Sequence, residues 1–183
     1  MTDFRIHTVE SAPQASQAQL SRLKEQVGFV PNLAASMAES PALLEAFLGL
    51  RSAAASSSLD PVAREVVAVA VAFETRCSYC VAAHSTFALK HGAPPSAVEA
   101  VRSGAEPGDA RLAALVRFAR AVVKRQDDVR GRAQDLLKAG LSRAQVLEAL
   151  VAIAVPMLAS SVFEVTAVEL DGLFQPRAWT RPA

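Results

Sequence analysis

The sequence predicts an all-α protein, a single-domain bundle of about seven or eight helices. Of its 183 residues, 51% are apolar and only 5% are aromatic. Thirty-seven residues are alanine, the strongest helix former, whereas strands favour aromatic and β-branched side chains. A chain of this length buries enough apolar surface to fold without a disulfide scaffold or a structural metal. We expect an N-terminal arm over residues 1–15, a helical domain over 16–172 and a C-terminal tail over 173–183.

Start and stop signals in the first half of the chain predict three helices before the cysteines. The first is expected over 16–27, where it ends at a glycine. The next two open with an N-cap residue followed by proline at the first helical position, at Ser40-Pro41 and Asp60-Pro61. The helix after Asp60 contains the run VVAVAVAF, which also resembles a buried strand, but its alternating alanines and its Asp-Pro start favour a helix.

The next helix carries the segment CSYCVAAHSTFALKH and is expected to begin after Thr75 and to end at Gly92. Later helices are expected to open with an aspartate or with a capping box, in which Ser precedes Glu or Gln by three residues. These signals are Ser96 with Glu99, Asp109, and Ser142 with Gln145. The last helix is expected from about Arg143 to Asp171, with a kink at Pro156.

Charge and hydropathy exclude several classes of protein. Nineteen basic and eighteen acidic residues give a net charge of +1, which argues against a nucleic-acid binder with a large basic surface. The uncharged stretch 149–163 is shorter than the roughly 20 residues that span a bilayer, so we interpret it as a core helix. The N-terminus lacks the pattern of a secretory signal. We therefore expect a cytoplasmic protein that binds neither nucleic acid nor membrane.

Several other polar residues suggest no chemistry by themselves. His7 falls in the expected flexible arm. Five basic residues on one predicted helix indicate a solvated face or an oligomer contact: Arg111, Arg117, Arg120, Lys124 and Arg125.

The chemistry-bearing residues are Cys77, Cys80 and His84 on one predicted helix. At about 100° per residue, Cys80 lies roughly 60° and His84 roughly 20° from Cys77 around the helix axis, so all three share one face. The imidazole, four residues after Cys80, can take a thiol proton. Backbone N–H groups at the start of the helix favour thiolates, which attack peroxides and disulfides.

The spacing of the two cysteines also bears on their chemistry. Cβ atoms three residues apart in a helix are about 5–6 Å apart, whereas a disulfide needs roughly 3.5–4.5 Å. A small adjustment closes the bridge, so it is expected to form and to be reduced readily. Two alternatives stay open: two buried small hydrophobic residues, or a zinc site that has three ligands where structural zinc takes four.

The order Glu65, then Cys77-Ser78-Tyr79-Cys80, then His84 resembles that of the alkylhydroperoxidase D-like (AhpD-like) proteins of the carboxymuconolactone decarboxylase superfamily. The resemblance is strongest over 60–92, and the upstream segments GFVPN and SPALLEAF resemble those of peroxidase-related members. It implies an all-α fold that assembles into trimers or hexamers, with a thiol active site that uses no cofactor. By the same resemblance, Cys80 attacks, Cys77 resolves, His84 accepts the thiol proton and Glu65 completes the relay.

Three features bear on that relay. On a straight helix Glu65 would lie about 18 Å from Cys77, so the relay requires a break, which Glu74-Thr75 can supply. Some relatives have a histidine where this chain has Tyr79, a poor base at neutral pH. The carboxylate of Glu74 would oppose a thiolate at Cys77 by its charge, an effect that Arg76 can offset.

Three functions follow as hypotheses. In the first, the protein is a thiol peroxidase or disulfide reductase that consumes a hydroperoxide and is restored by a thioredoxin-like or lipoyl-bearing dithiol. In the second, it is a decarboxylase or lactone enzyme by analogy with the superfamily. In the third, it is a redox sensor whose Cys77–Cys80 state changes its assembly.

Overall fold

The computed structural model describes residues 4–182, and the fold in that range consists of nine α-helices and one 3-10 helix, without a strand. The prediction of an all-α bundle is confirmed. The elements are α1 (Gln14–Val27), α2 (Asn32–Met37), α3 (Pro41–Ala55), α4 (Pro61–Glu74), α5 (Ser78–Lys90), α6 (Pro95–Arg102), α7 (Ala110–Val123), α8 (Val129–Lys138), α9 (Arg143–Thr166) and a 3-10 helix (Gly172–Arg177). Residues 1–3 of the expected arm and Ala183 of the expected tail lie outside the described residues.

Most of the predicted helix starts are confirmed by side-chain caps. Ser40, Asp60 and Asp109 each accept a hydrogen bond from the backbone N–H three residues later. Ser142 and Gln145 form both bonds of the predicted capping box at the start of α9. These bonds satisfy N–H groups that have no partner within the helix.

Three predicted boundaries are wrong. Thr75 does not cap α5, because α4 continues to Glu74 and the cap is Cys77. Ser96 makes no cap, because Pro95 already occupies the first position of α6. The last helix ends at Thr166, well before the expected end, and it continues through Pro156. The sequence analysis also missed α2, which has only six residues.

Helix α4 occupies the centre of the bundle, where it packs against α5, α6, α7 and α9. Every residue from 66 to 72 is buried, so this helix is apolar around its whole circumference rather than along one stripe. Burial on all sides explains why the segment VVAVAVAF also resembled a strand. A central α4 places its polar residues at the two ends of the helix, and Glu65 near its start faces α5.

Helix α9 is the one described helix long and apolar enough to cross a membrane by length and composition, with a mean hydropathy of 2.1 over its best window. This is weak support for a membrane span, because 44% of that window is buried inside the protein, where α9 packs on α3 and α4. The exposed side carries apolar residues at Leu147, Leu150, Met157 and Val165.

Both ends of the described chain pack on the bundle. The interpretation of His7 as part of a flexible arm is wrong, because its side chain is 5% exposed and Nε2 lies 2.6 Å from Glu39 Oε2. Near the C-terminus, Phe174 of the 3-10 helix is 1% exposed and makes edge contacts with the rings of Tyr79 and Phe87. The 3-10 helix therefore closes one side of the core next to α5.

Candidate active site

A tight turn joins α4 to α5 and brings their polar residues together. Arg76 adopts a left-handed backbone conformation with φ of 60°, which non-glycine residues seldom adopt. The N–H of Cys77 donates across the turn to the carbonyl of Ala72 at 3.0 Å. The chain therefore reverses between the two helices, and the break expected between Glu65 and Cys77 is confirmed.

Glu65 and His84 are joined by a hydrogen bond across this helical hairpin. The distance from His84 Nδ1 to Glu65 Oε2 is 2.8 Å, and the two side chains are 19% and 21% exposed. A carboxylate only accepts, so Nδ1 donates and carries the proton. Nε2 has no hydrogen-bond partner within residues 4–182, and this leaves it as the acceptor of the imidazole.

Cys77 and Cys80 are both free and buried. Cys77 occupies the N-cap position of α5, where its Sγ accepts the N–H of Cys80 at 3.1 Å. Ser160 of α9 donates its hydroxyl to Cys80 Sγ at 3.7 Å. That hydroxyl in turn accepts from Thr75 Oγ1 at 2.8 Å. Each sulfur is therefore held by a donor that favours negative charge.

The two thiols differ in acidity. A hydrogen bond from the Cys80 thiol, together with the backbone N–H of Cys80, lowers the pKa of Cys77. The bond to Cys77, burial and the neighbouring negative charge of Cys77 raise the pKa of Cys80 well above its usual value. The sequence-based expectation that the helix start lowers both pKa values is therefore right for Cys77 and wrong for Cys80. Two adjacent sulfurs resist double ionisation, so the pair loses its two protons in separate steps.

The site opens into a cavity of about 330 Å³ between α3, α4, α5 and α9. Cys80, His84 and Glu65 line it, whereas Cys77 does not. The remaining wall is mostly apolar, with side chains such as Phe47, Val155 and Phe87. Of the two cysteines, Cys80 is therefore the one that a molecule in the cavity can reach. Residues 4–182 contain no cluster of three or more His, Cys, Asp or Glu arranged to hold a metal ion.

Tyr79, at the position where some relatives have a histidine, is held by two hydrogen bonds of its hydroxyl. Its hydroxyl donates to Asp171 Oδ2 at 2.5 Å and accepts the N–H of Leu33 at 3.4 Å. Burial and the Asp171 carboxylate raise the pKa of the phenol far above its usual value. Tyr79 therefore stays protonated and links α5 to α2, through Leu33, and to the start of the 3-10 helix, through Asp171.

The charge of Glu74 is neutralised from α7 rather than by Arg76. Its carboxylate oxygens lie 3.2 Å from Arg120 Nε and 2.9 Å from Lys124 Nζ. The Arg120 side chain is 14% exposed, so its interpretation as part of a solvated face or oligomer contact is wrong, whereas the Lys124 side chain is 48% exposed. The Glu74 carboxylate is thereby prevented from opposing a thiolate at Cys77 with its full charge.

Three of the four predicted site residues, Cys80, His84 and Glu65, line one cavity. The fourth, Cys77, contacts Cys80 without lining the cavity. The sequence analysis missed two neighbours. Ser160, which contacts Cys80, lies within the uncharged stretch 149–163 of α9, and that placement was the available signal. Arg51 of α3 lines the same cavity, and nothing in its local sequence distinguishes it from an ordinary surface arginine.

Comparisons with known proteins match this chain to one family by sequence and to several solved structures by fold. The sequence pattern of the carboxymuconolactone decarboxylase family matches residues 41–120, the segment from α3 to most of α7. No protein with a curated description matches the chain significantly in sequence.

Solved structures share the fold at low sequence identity. The AhpD core of an uncharacterized peroxidase-related protein from Ralstonia eutropha JMP134 aligns with a TM-score of 0.83 at 20% identity, over 93% of each chain. An uncharacterized peroxidase-related protein from Silicibacter sp. TM1040 has a TM-score of 0.79 at 21% identity, over 94% of this chain and 92% of its own. The debrominase Bmp8 has a TM-score of 0.78 at 19% identity, over 96% of each chain. The family match over residues 41–120 and the shared fold support the resemblance to the AhpD-like proteins of the carboxymuconolactone decarboxylase superfamily that the motif indicated.

Proposed function

We propose that this protein is a thiol-dependent alkylhydroperoxidase or disulfide reductase, a cofactor-free oxidoreductase in which Cys80 and Cys77 form a catalytic disulfide. Family and neighbours point to an enzyme of the AhpD and carboxymuconolactone decarboxylase type. The observation that carries the finer proposal is the Glu65–His84 pair at 2.8 Å in the cavity that Cys80 lines.

In the first step, His84 takes the proton of the Cys80 thiol at Nε2 while Glu65 stabilises the imidazolium that forms. The Cys80 thiolate attacks one peroxide oxygen of the hydroperoxide, and the O–O bond breaks. The alcohol leaves with the proton returned by His84, and Cys80 becomes a sulfenic acid. The raised pKa of Cys80 is the reason why this step requires a base.

In the second step, the Cys77 thiolate attacks the sulfenic sulfur of Cys80 and the S–O bond breaks as the disulfide forms. The hydroxide that leaves takes up the proton that Cys77 gave up and becomes water. The lowered pKa of Cys77 suits it to this role, because the resolving sulfur reacts as a thiolate. An external dithiol then reduces the Cys77–Cys80 bond and becomes a disulfide itself. The sum is one hydroperoxide and one dithiol converted to one alcohol, one water and one disulfide.

Partners and setting belong to the same proposal. The reductant is a thioredoxin-like or lipoyl-bearing dithiol protein, and the protein acts in the cytoplasm without nucleic acid or membrane. A homo-oligomer, a trimer or hexamer, is supported by the apolar residues exposed on α9. Leu147 is 66% and Val165 is 55% exposed, and a second copy of the chain that covered this face would remove both from water.

The two alternative functions predict different results. A decarboxylase-like enzyme would keep its activity when both cysteines are replaced by serine. A redox sensor would change its oligomeric state on reduction and consume no peroxide. Neither alternative explains why a base with a free Nε2 lines the same cavity as a thiol of raised pKa.

The proposal is tested by counting free thiols and bound zinc per chain before and after one equivalent of tert-butyl hydroperoxide. Loss of two thiols, without zinc and without sulfinic acid, is the expected result. Cys80→Ser should abolish peroxide consumption, whereas Cys77→Ser should stop after one turnover with a sulfenic acid on Cys80. Ser78→Ala, which changes the residue next to Cys77 and removes no sulfur, is the matched control. Two unreactive thiols, or full activity in Cys80→Ser, would refute the proposal.

A further inference from the structure

Arg51 lies in the wall of the active-site cavity, and no carboxylate contacts its guanidinium within residues 4–182. It lies on α3, is half-buried and lines the same cavity as Cys80. Within residues 4–182 its guanidinium makes no hydrogen bond or ion pair; its close contact is the ring of Phe47, whose centroid is 5.8 Å away. Burial lowers the pKa of Arg51, while the more distant charge of Glu65 raises it. The guanidinium has therefore lost water without gaining a hydrogen-bonding partner.

The other charges of the cavity are already engaged. The Glu65 carboxylate is hydrogen-bonded to His84. Arg64, the other arginine of the wall, donates through Nη1 to the carbonyl of Leu59. Two guanidinium groups and one carboxylate line the cavity, so these three groups together carry a net positive charge.

The remaining wall is apolar, with Leu33, Ala68, Val155 and Phe174 among its residues. A ligand that fits this wall has an apolar body and one anionic end. Guanidinium groups bind carboxylates through two parallel hydrogen bonds, and such charge-assisted bonds are strongest where water is excluded. An apolar site with one fixed cation thus binds the carboxylate at the cation and holds the rest of the ligand against the apolar wall.

We infer that Arg51 anchors the carboxylate of the substrate, and that the site takes an apolar organic hydroperoxide that also carries a carboxylate. The inference rests on the proposed peroxidase function. With the carboxylate at Arg51 and the hydrocarbon against the apolar wall, the hydroperoxide end reaches the thiol of Cys80. The reaction stays as written above, and the product is the corresponding hydroxy acid. Arg51 sets specificity by binding and takes no part in the proton transfers.

The test compares 4-hydroperoxy-4-methylpentanoic acid with its neutral methyl ester. We expect the wild-type protein to prefer the acid, with a lower KM. Arg51→Met should lower kcat/KM for the acid by roughly tenfold to a hundredfold, the range for losing a charge-assisted hydrogen bond. The same variant should lower kcat/KM for the ester by a much smaller factor, because the ester has no carboxylate for Arg51 to bind. Arg51→Lys should recover part of the preference for the acid, because it keeps the charge and loses the planar fork.

A second measurement separates this inference from the proposed function. 4-Methylpentanoate, which has no peroxide, is titrated into the reduced protein, and its dissociation constant is measured by calorimetry. If neither peroxide is consumed but Arg51→Met weakens this binding, the peroxidase proposal fails and the anion site stands. If the wild type does not prefer the acid, if the variant loses both substrates equally, or if binding is unchanged in the variant, the inference about Arg51 is wrong. Arg130→Met, at an exposed arginine of α8 far along the chain, is the matched control and should change none of these values.

Discussion

Replacing Glu65 by glutamine tests the proton relay with little change in shape. The carboxylate accepts from His84 Nδ1 at 2.8 Å, and both side chains are about one-fifth exposed. A hydrogen bond to a charged group contributes about 1.5–3 kcal/mol, against about 0.5–1.5 kcal/mol for a neutral one. Glu65→Gln keeps an oxygen acceptor and loses the charge, so we expect a barrier higher by about 1–1.5 kcal/mol, or a rate about tenfold lower.

The assay is kcat/KM for tert-butyl hydroperoxide as a function of pH, with a dithiol reductant in excess. The loss should shrink as the pH rises, because hydroxide then removes the Cys80 proton without His84. A merely structural role for Glu65 would give the same loss at every pH. Glu45→Gln, at an exposed residue of α3, should have no effect. An unchanged rate in Glu65→Gln, or a loss independent of pH, would refute the relay.

Three further predictions concern the thiols, the fold and the assembly. Cys77→Ser keeps an N-cap residue and removes the neighbouring sulfur that raises the pKa of Cys80. The pH at which Cys80 is half alkylated, followed by mass spectrometry, should therefore be lower in this variant. An unchanged or higher midpoint would contradict this. Tyr79→Phe removes a buried hydrogen bond to the Asp171 carboxylate. The free energy of unfolding, measured in urea, should fall by about 1–3 kcal/mol. Unchanged stability would count against that bond. Leu150→Glu should reduce the mass measured by light scattering if α9 mediates the oligomer. Leu137→Glu on α8, where the leucine is also 42% exposed, should leave the mass unchanged. Equal masses for the two variants would exclude the exposed face of α9 as the oligomer contact.

The sequence was sufficient for features that depend on local spacing. Alanine content and cap-plus-proline signals predicted the helical class and most helix starts, because capping bonds join residues three positions apart. The positions of Cys80 and His84 on one side of α5 followed from the helical repeat alone. The failed cap at Thr75 has the same local origin: Thr75 and Cys77 can both accept at a helix start, and the packing of the turn decided in favour of Cys77.

Contacts between distant segments could not be predicted in this way. The salt bridges of Glu74 come from α7, more than forty residues later in the chain. The bond from Ser160 to Cys80 joins α9 to α5. A sequence without an alignment gives no register between two helices, so such pairs follow only from the packing of the bundle.

The sequence by itself determined that this protein is helical, that it carries a Cys-x-x-Cys pair followed by a histidine four residues later, and which family it resembles. Only the tertiary structure decided which thiol faces the cavity, which thiol has the lowered pKa, and that Arg51 shares the cavity with Cys80. The physical reason is that a pKa and an accessible surface depend on every group packed around an atom. Helical periodicity fixes the direction of a side chain around its own helix, whereas the packing of the other helices determines what that side chain meets.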